Sequence, residues 1–174
     1  MLDSLITSKT RIKLLLKFFL NSSMKAYLRG LAEEFGESTN AIRLELNRME
    51  EAGLLCSEED GNKKVYHANH KHPLFNDIHS LVLKHSGITQ IIDEVIERVG
   101  DIEKVWVVGD FAVGKDSKKL ELIIVGKYIN ANYLLQLIGK AEKLIDREIL
   151  YSVVSSVEKV NQMISDRILL IWTR

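Results

Sequence analysis

Residues 38–55 read Ser38-Thr39-Asn40-Ala41-Ile42-Arg43-Leu44-Glu45-Leu46-Asn47-Arg48-Met49-Glu50-Glu51-Ala52-Gly53-Leu54-Leu55, and their spacing decides the fold of the first half of the chain. Ile42, Leu46 and Met49 recur at intervals of four and three, which is one face of a helix. Ser38, Thr39 and Asn40 supply capping side chains at its start, and Ala52-Gly53 closes it. The opposite face carries Thr39, Asn40, Arg43, Leu44 and Asn47, with Arg48 at its edge. These are residue types that read base edges: Arg bridges two acceptors of guanine, and Asn matches the donor and acceptor of adenine.

The flanking segments supply a frame for that helix. On the N-terminal side, Ser8–Leu20 carries Ile12, Leu15, Leu16, Phe19 and Leu20 on one helical face, with Thr7, Ser8 and Thr10 as caps. Lys25–Phe35 repeats the pattern with Leu28, Leu31, Ala32 and Phe35, and Gly36 stands where a C-capping glycine belongs. On the C-terminal side, Leu54–Ser57 and Lys63–Ala68 are strand-like, joined by Glu58-Glu59-Asp60-Gly61-Asn62. Asp-Gly between two such runs predicts a hairpin. The order is helix, helix, helix, hairpin.

In that context the stretch resembles the recognition helix of ArsR/MarR-like winged helix-turn-helix regulators. Those helices close on leucine-x-x-leucine-glutamate-x-alanine-glycine-leucine, which Leu46 to Leu54 match with Met49 in place of the second leucine. The resemblance spans Thr7 to Asn69. It implies a homodimeric transcription regulator that puts its third helix into the major groove and its hairpin, the wing, against neighbouring phosphates. Asn40, Arg43 and Asn47 would then read bases, while Thr39, Arg48, Lys63 and Lys64 anchor phosphates, with Lys25 and Arg29 as further backbone contacts. The alternative is a scaffold whose winged helix docks on protein. Glu45, Glu50, Glu51 and the acidic run Glu58-Glu59-Asp60 would repel phosphate and fit that alternative.

His72-Pro73 marks a boundary, because the residue before proline is pushed out of helix. Leu74–Lys84 and Ile88–Val99 then read as two helices, apolar at Leu74, Ile78, Leu81 and Val82 and at Ile91, Ile92, Val95, Ile96 and Val99. They are expected to link and to dimerise. Beyond Gly100 the pattern mixes: strands at Lys104–Val108, Leu120–Val125, Ile149–Val154 and Ile168–Trp172, a helix over Ala131–Ile145, and a shorter one over Val157–Ile164. The expected class is α+β, with a DNA-binding domain at 1–72, linking helices at 73–99 and a mixed α/β domain at 100–174.

Within that last domain, Val107-Val108-Gly109-Asp110-Phe111-Ala112-Val113-Gly114, followed by the strand from Lys119, resembles the minimal nucleotidyltransferase outline. That family has a strand, glycine-serine, a short helix with a second glycine, and a strand bearing aspartate-x-aspartate for Mg²⁺. Gly109, Ala112 and Gly114 fall where the family has small residues. Asp110 stands in place of the serine, and Lys119 and Glu121 in place of the two aspartates, with Glu148 as a loose third carboxylate. The resemblance implies the fold with its chemistry removed, kept as a sensor or interaction unit. A small molecule or a protein is its expected effector. An active transferase targeted by the winged helix is the enzymatic alternative. Lys115, Lys118 and Lys119 are candidate anion contacts or a solvated loop, and Lys119 and Glu121 share a strand face as a candidate ion pair.

Composition bounds the rest. The chain has 174 residues, 46% hydrophobic, enough apolar material for a packed core. Twenty-four Lys and Arg balance 24 Asp and Glu, so nucleic-acid binding must use a local basic face rather than bulk charge. The longest apolar run, Leu14–Leu20, is interrupted by Lys17 and is too short to span a bilayer. The first residues lack the pattern of a signal peptide, and Cys56 has no partner for a disulfide, so a cytoplasmic protein with no membrane partner is expected. Five histidines (67, 70, 72, 79 and 85) crowd one window, but none are four apart and no cysteines accompany them. They read as surface or interface residues, with no metal or cofactor expected. Cys56 reads as a small buried residue, and Trp106 and Trp172 as core.

Overall fold

The computed structural model of the chain describes residues 2–89, 92, 99–115, 117–163 and 167–174, with 3, 144 and 161–163 described by backbone alone. It is a mixed α+β protein with two sheets. Two compact units divide it, Met1–Val82 and Leu83–Arg174. The division falls inside the expected linking segment 73–99. The expected helix from Ile88 to Val99 lies largely outside the described residues.

The first unit begins with a short helix α1 (Leu2–Leu5) and α2 (Lys9–Leu15). Ser8 caps α2, its hydroxyl accepting from the Arg11 amide. The expected single apolar face holds only at first. From Leu16 to Leu20 the turns widen to π-helix, and Leu14 through Leu20 are all buried, Lys17 included. Leu14 and Phe18 stand off the expected face, so the chain is enclosed on all sides here and its one cation needs a partner. Lys17 Nζ finds it in Glu34, 2.8 Å away.

Lys25–Tyr27 is a strand, β1, and not the first turn of the second helix as its spacing suggests. It pairs antiparallel with Val65–His67, which satisfies its backbone inside a sheet. Helix α3 (Leu28–Phe35) follows, then α4 (Thr39–Glu51), capped by Ser38 accepting from the Ala41 amide. Ile42, Leu46 and Met49 are buried as expected. Glu45 is buried with them.

The hairpin is β2 (Leu55–Asp60) and β3 (Lys63–Ala68), with β3 central in the order β1-β3-β2. Its turn is tighter than the sequence suggests. Glu58, Glu59 and Asp60 lie in the strand, opposite Val65, Lys64 and Lys63, and only Gly61-Asn62 turns the chain. Gly61 takes φ 59°, which a side chain resists.

Helix α5 (Phe75–Ser86) follows. Leu74, expected on its apolar face, precedes it and is 53% exposed. Phe75 packs against Phe19 and His70 instead, with ring centroids 5.7 and 4.6 Å away, and His79 Nδ1 bonds the Phe19 carbonyl.

The second unit is a four-stranded sheet, β4 (Asp101–Val108), β5 (Lys119–Lys127), β6 (Glu148–Val154) and β7 (Ile168–Thr173), in the order β6-β5-β4-β7. β5 and β6 are parallel, so a crossover is required, and α6 (Ala131–Ile145) provides it. Leu134, Leu137, Ile138 and Ala141 of α6 are buried, whereas Leu135, expected beside them, is exposed. Val160 of α7 (Val157–Met163) joins Ile123 and Val125 in a small core, with Trp106, Val157 and Ile168 packed at its margin. Trp106 and Trp172 are half-buried rather than fully core, and Cys56 is half-exposed. No described helix is long and apolar enough to cross a membrane.

Candidate nucleic-acid interface

Burial splits α4 as its spacing predicts. Thr39, Asn40, Arg43, Leu44, Asn47 and Arg48 are all exposed on the face away from Ile42, Leu46 and Met49. Lys63 and Lys64, in the first residues of β3, are exposed too. The fold therefore presents every side chain expected to touch DNA. It does not leave them equally free.

Carboxylates hold several of these cations. Glu45 bonds Arg11 at 2.8 Å, accepts from the Ser8 hydroxyl at 3.0 Å and reaches Arg48 at 3.3 Å. Burial pushes the Glu45 pKa up, but Arg11 and Ser8 outweigh it, so the carboxyl ends below its ordinary value. Lys64 Nζ bonds Glu50 at 2.7 Å, and the Ser57 hydroxyl bonds the same carboxylate. That pairing holds Glu50 below, and Lys64 above, their ordinary values. Lys25 is paired with Glu58 at 3.1 Å. The acidic residues expected to repel phosphate are thus partly neutralised within the fold.

Of the cations expected to contact DNA, three stay without a carboxylate partner among the described residues. Arg43 donates only to the Asn40 side-chain oxygen, at 2.8 Å. Lys63 lies over the Tyr27 ring, 5.7 Å from its centroid. Arg29, in the first turn of α3, is exposed, and its side chain makes no hydrogen bond or ion pair among the described residues. These three and Lys64 surround one groove of about 690 Å³. Tyr27, Leu28 and Tyr66 also line it, and no Asp or Glu does among the described residues. Tyr27 is fixed by its hydroxyl, which donates to Asp60 and is pushed above its ordinary pKa by that bond. Sequence reading names Arg29, Arg43, Lys63 and Lys64 separately. It misses Tyr27 and Tyr66, whose placement depends on β1 pairing with β3.

The residues expected to follow the transferase outline, Gly109, Asp110, Lys119 and Glu121, lie toward one end of the second sheet. Gly109 ends β4 with φ 71°, and a Cβ there would stand 2.5 Å from Glu121 Oε1. Its amide donates to the Arg167 carbonyl at 3.0 Å and is not turned to a phosphate. The Asp110 carboxylate lies 3.7 Å from Lys115 Nζ. Lys119 pairs with Glu148 at 3.5 Å across the β5–β6 ladder, and not with Glu121 as its strand position suggests. Lys118 pairs with Asp146 at 3.2 Å. Each of the three lysines considered as anion contacts is therefore opposed by a carboxylate.

The histidines do not converge. His67 Nε2 lies 3.4 Å from Glu58, and His70 Nε2 bonds the Ser22 carbonyl at 3.0 Å. Among the described residues no group of three or more His, Cys, Asp or Glu is placed to hold a metal ion. No family model, no curated protein and no solved structure matches this chain.

Proposed function

We propose that the first unit is a winged helix-turn-helix module and that the protein is a sequence-specific, DNA-binding transcription regulator acting as a homodimer. One observation carries the reading. The exposed face of α4 borders a groove with four cations and no carboxylate among its described lining. A duplex needs that combination, since phosphate contacts position a reader and base contacts give its specificity. In this reading α4 enters the major groove with Asn40, Arg43 and Asn47 toward base edges, and Leu44 suits a thymine methyl. Arg29, Lys63 and Lys64 hold the flanking phosphates, with Thr39 beside them. Arg48 contributes less, because Glu45 already holds it. Dimerisation is proposed because readers of this kind bind two half-sites about 34–36 Å apart.

We infer that the second unit is a nucleotidyltransferase-like fold without its chemistry, serving as a sensor or an interaction unit. Lys119 neutralises Glu148, Lys115 faces Asp110, and the Gly109 amide is used within the fold. The lysines beside Glu148 and Asp110 compete with the cations that two-metal chemistry requires.

The test is duplex selection from a random pool, followed by fluorescence anisotropy of the selected and a scrambled duplex across a salt series. Preference for the selected duplex, with a log–log salt slope of about −2 to −4 per chain, supports the regulator. Absence of binding at low salt overturns it in favour of a protein-docking module.

A further inference from the structure

Among the described residues the two sheets have four edge strands, β1, β2, β6 and β7. An edge presents a row of unpaired amides and carbonyls, and proteins commonly guard it with charge so that no other strand adds there. Three of the four carry such charge. β1 exposes Lys25, β2 exposes Glu58, Glu59 and Asp60, and β6 exposes Glu148. The fourth, β7, reads Ile168-Leu169-Leu170-Ile171-Trp172-Thr173, six residues without charge, proline or glycine, and none of them is buried. Leu170 is 46% exposed. Its backbone also faces outward. The Arg167 carbonyl accepts from the Gly109 amide at 3.0 Å, so alternation along the strand turns the amides and carbonyls of Ile168 and Leu170 away from β4. The ladder to β4 is regular over that stretch, from Ile168 to Leu170.

We propose that the β7 edge is the surface on which two copies of this chain join, pairing antiparallel about a two-fold axis at Leu170 and merging two four-stranded sheets into one. A second copy is the occupant the strand itself specifies. A two-fold axis sets one patch against itself, and self-pairing of an uncharged strand brings no like charges into register. With the axis at Leu170, Ile168 falls opposite Trp172 of the partner subunit, and Arg167 opposite Thr173 of the partner subunit. The outward amide and carbonyl of Leu170 are then satisfied by the same groups of the partner subunit's Leu170. Arg174 lies beyond the pairing and is held by Asp101 at 3.5 Å. Apolar side chains meet on both faces of the joined strands, Leu170 on one, Leu169 and Trp172 on the other. The proposal rests on the homodimer reading and names its place of contact, which it moves from the segment 73–99 to the second unit.

Sedimentation of the full chain at micromolar concentration, beside Leu170→Lys and Leu150→Lys, tests the edge. Leu150 is exposed on β6, so its variant puts the same new charge on the opposite edge of the sheet. The parent and Leu150→Lys are expected to run as dimers. Leu170→Lys is expected to raise the dimer dissociation constant at least about tenfold, because two lysines then meet at the axis, while its circular dichroism stays that of the parent. A second readout decides the matter even where Leu170→Lys misfolds. In a Cys56→Ser background, Leu170→Cys is expected to link two copies through a short bismaleimide, and Leu150→Cys is not. A folded Leu170→Lys chain that dimerises as the parent does overturns the β7 edge and leaves the homodimer reading standing, with its contact elsewhere. Linkage through Leu150→Cys and not through Leu170→Cys does the same. A monomeric parent overturns the homodimer reading and the edge together.

Discussion

Glu50 and Glu45 set how much charge the α4 side of the molecule offers a ligand. Glu50 holds Lys64, and Glu45 holds Arg48. Glu50→Gln is expected to free Lys64 and to raise affinity for selected and scrambled duplexes alike, about two- to fivefold, with a steeper salt slope in anisotropy. Arg43→Ala acts differently. It is expected to cost about 1–3 kcal/mol on the selected site and to relax one base position. Equal losses on selected and scrambled duplexes would remove Arg43 from base reading. Glu45 also ties α2 to α4 through Arg11 and Ser8. Its carboxyl is held below the ordinary 4.5, so its stabilisation is present above that value and is lost as pH falls through the lower native value. Urea midpoints measured from pH 6 down to pH 3 should fall, and Glu45→Gln should flatten that fall while costing about 1–3 kcal/mol at neutral pH.

At the scale of elements, local signals and long-range pairing divide the outcome. Ser8 and Ser38 act as the caps their sequence positions suggest, and the α4 face is split by spacing alone. Lys25–Tyr27 goes the other way. Its spacing continues the helix, yet β3 draws it into a sheet because its backbone gains three paired positions there. The same pairing stations Tyr27 beside Lys63, which no local pattern in 25–35 indicates. Lys119 tells a similar story: its nearest carboxylate in sequence is Glu121, but the parallel ladder sets Glu148 directly opposite. Gly30 yields a prediction at this scale. It lies inside α3, and a methyl group there meets open space. Gly30→Ala is expected to stabilise the chain by about 0.5–1 kcal/mol, by restricting the unfolded state and favouring helix. Thermal melts followed by circular dichroism check it, and a lowered midpoint would show that the position is crowded.

For the whole molecule, the regulator reading predicts a mass in sedimentation of twice the 19.9 kDa chain. It also predicts a footprint with two half-sites about 10 base pairs apart. A monomer at micromolar concentration would contradict it. Incubation with nucleoside triphosphates and Mg²⁺ should incorporate no nucleotide; incorporation lost on Glu121→Gln would restore the enzymatic alternative. The amino-acid sequence by itself determined most of the described helices, the hairpin, the mixed strands of the second unit and the exposed face of α4, because these follow from periods of two and 3.6 residues and from capping chemistry within a few positions. Tertiary structure alone decided which cations are spoken for and where the groove beside α4 lies. Arg29, Arg43, Lys63 and Tyr66 come from three separate elements, and Glu50 reaches Lys64 across 14 positions. Charge and ring contacts act through space over a few ångströms, and only the fold sets those distances.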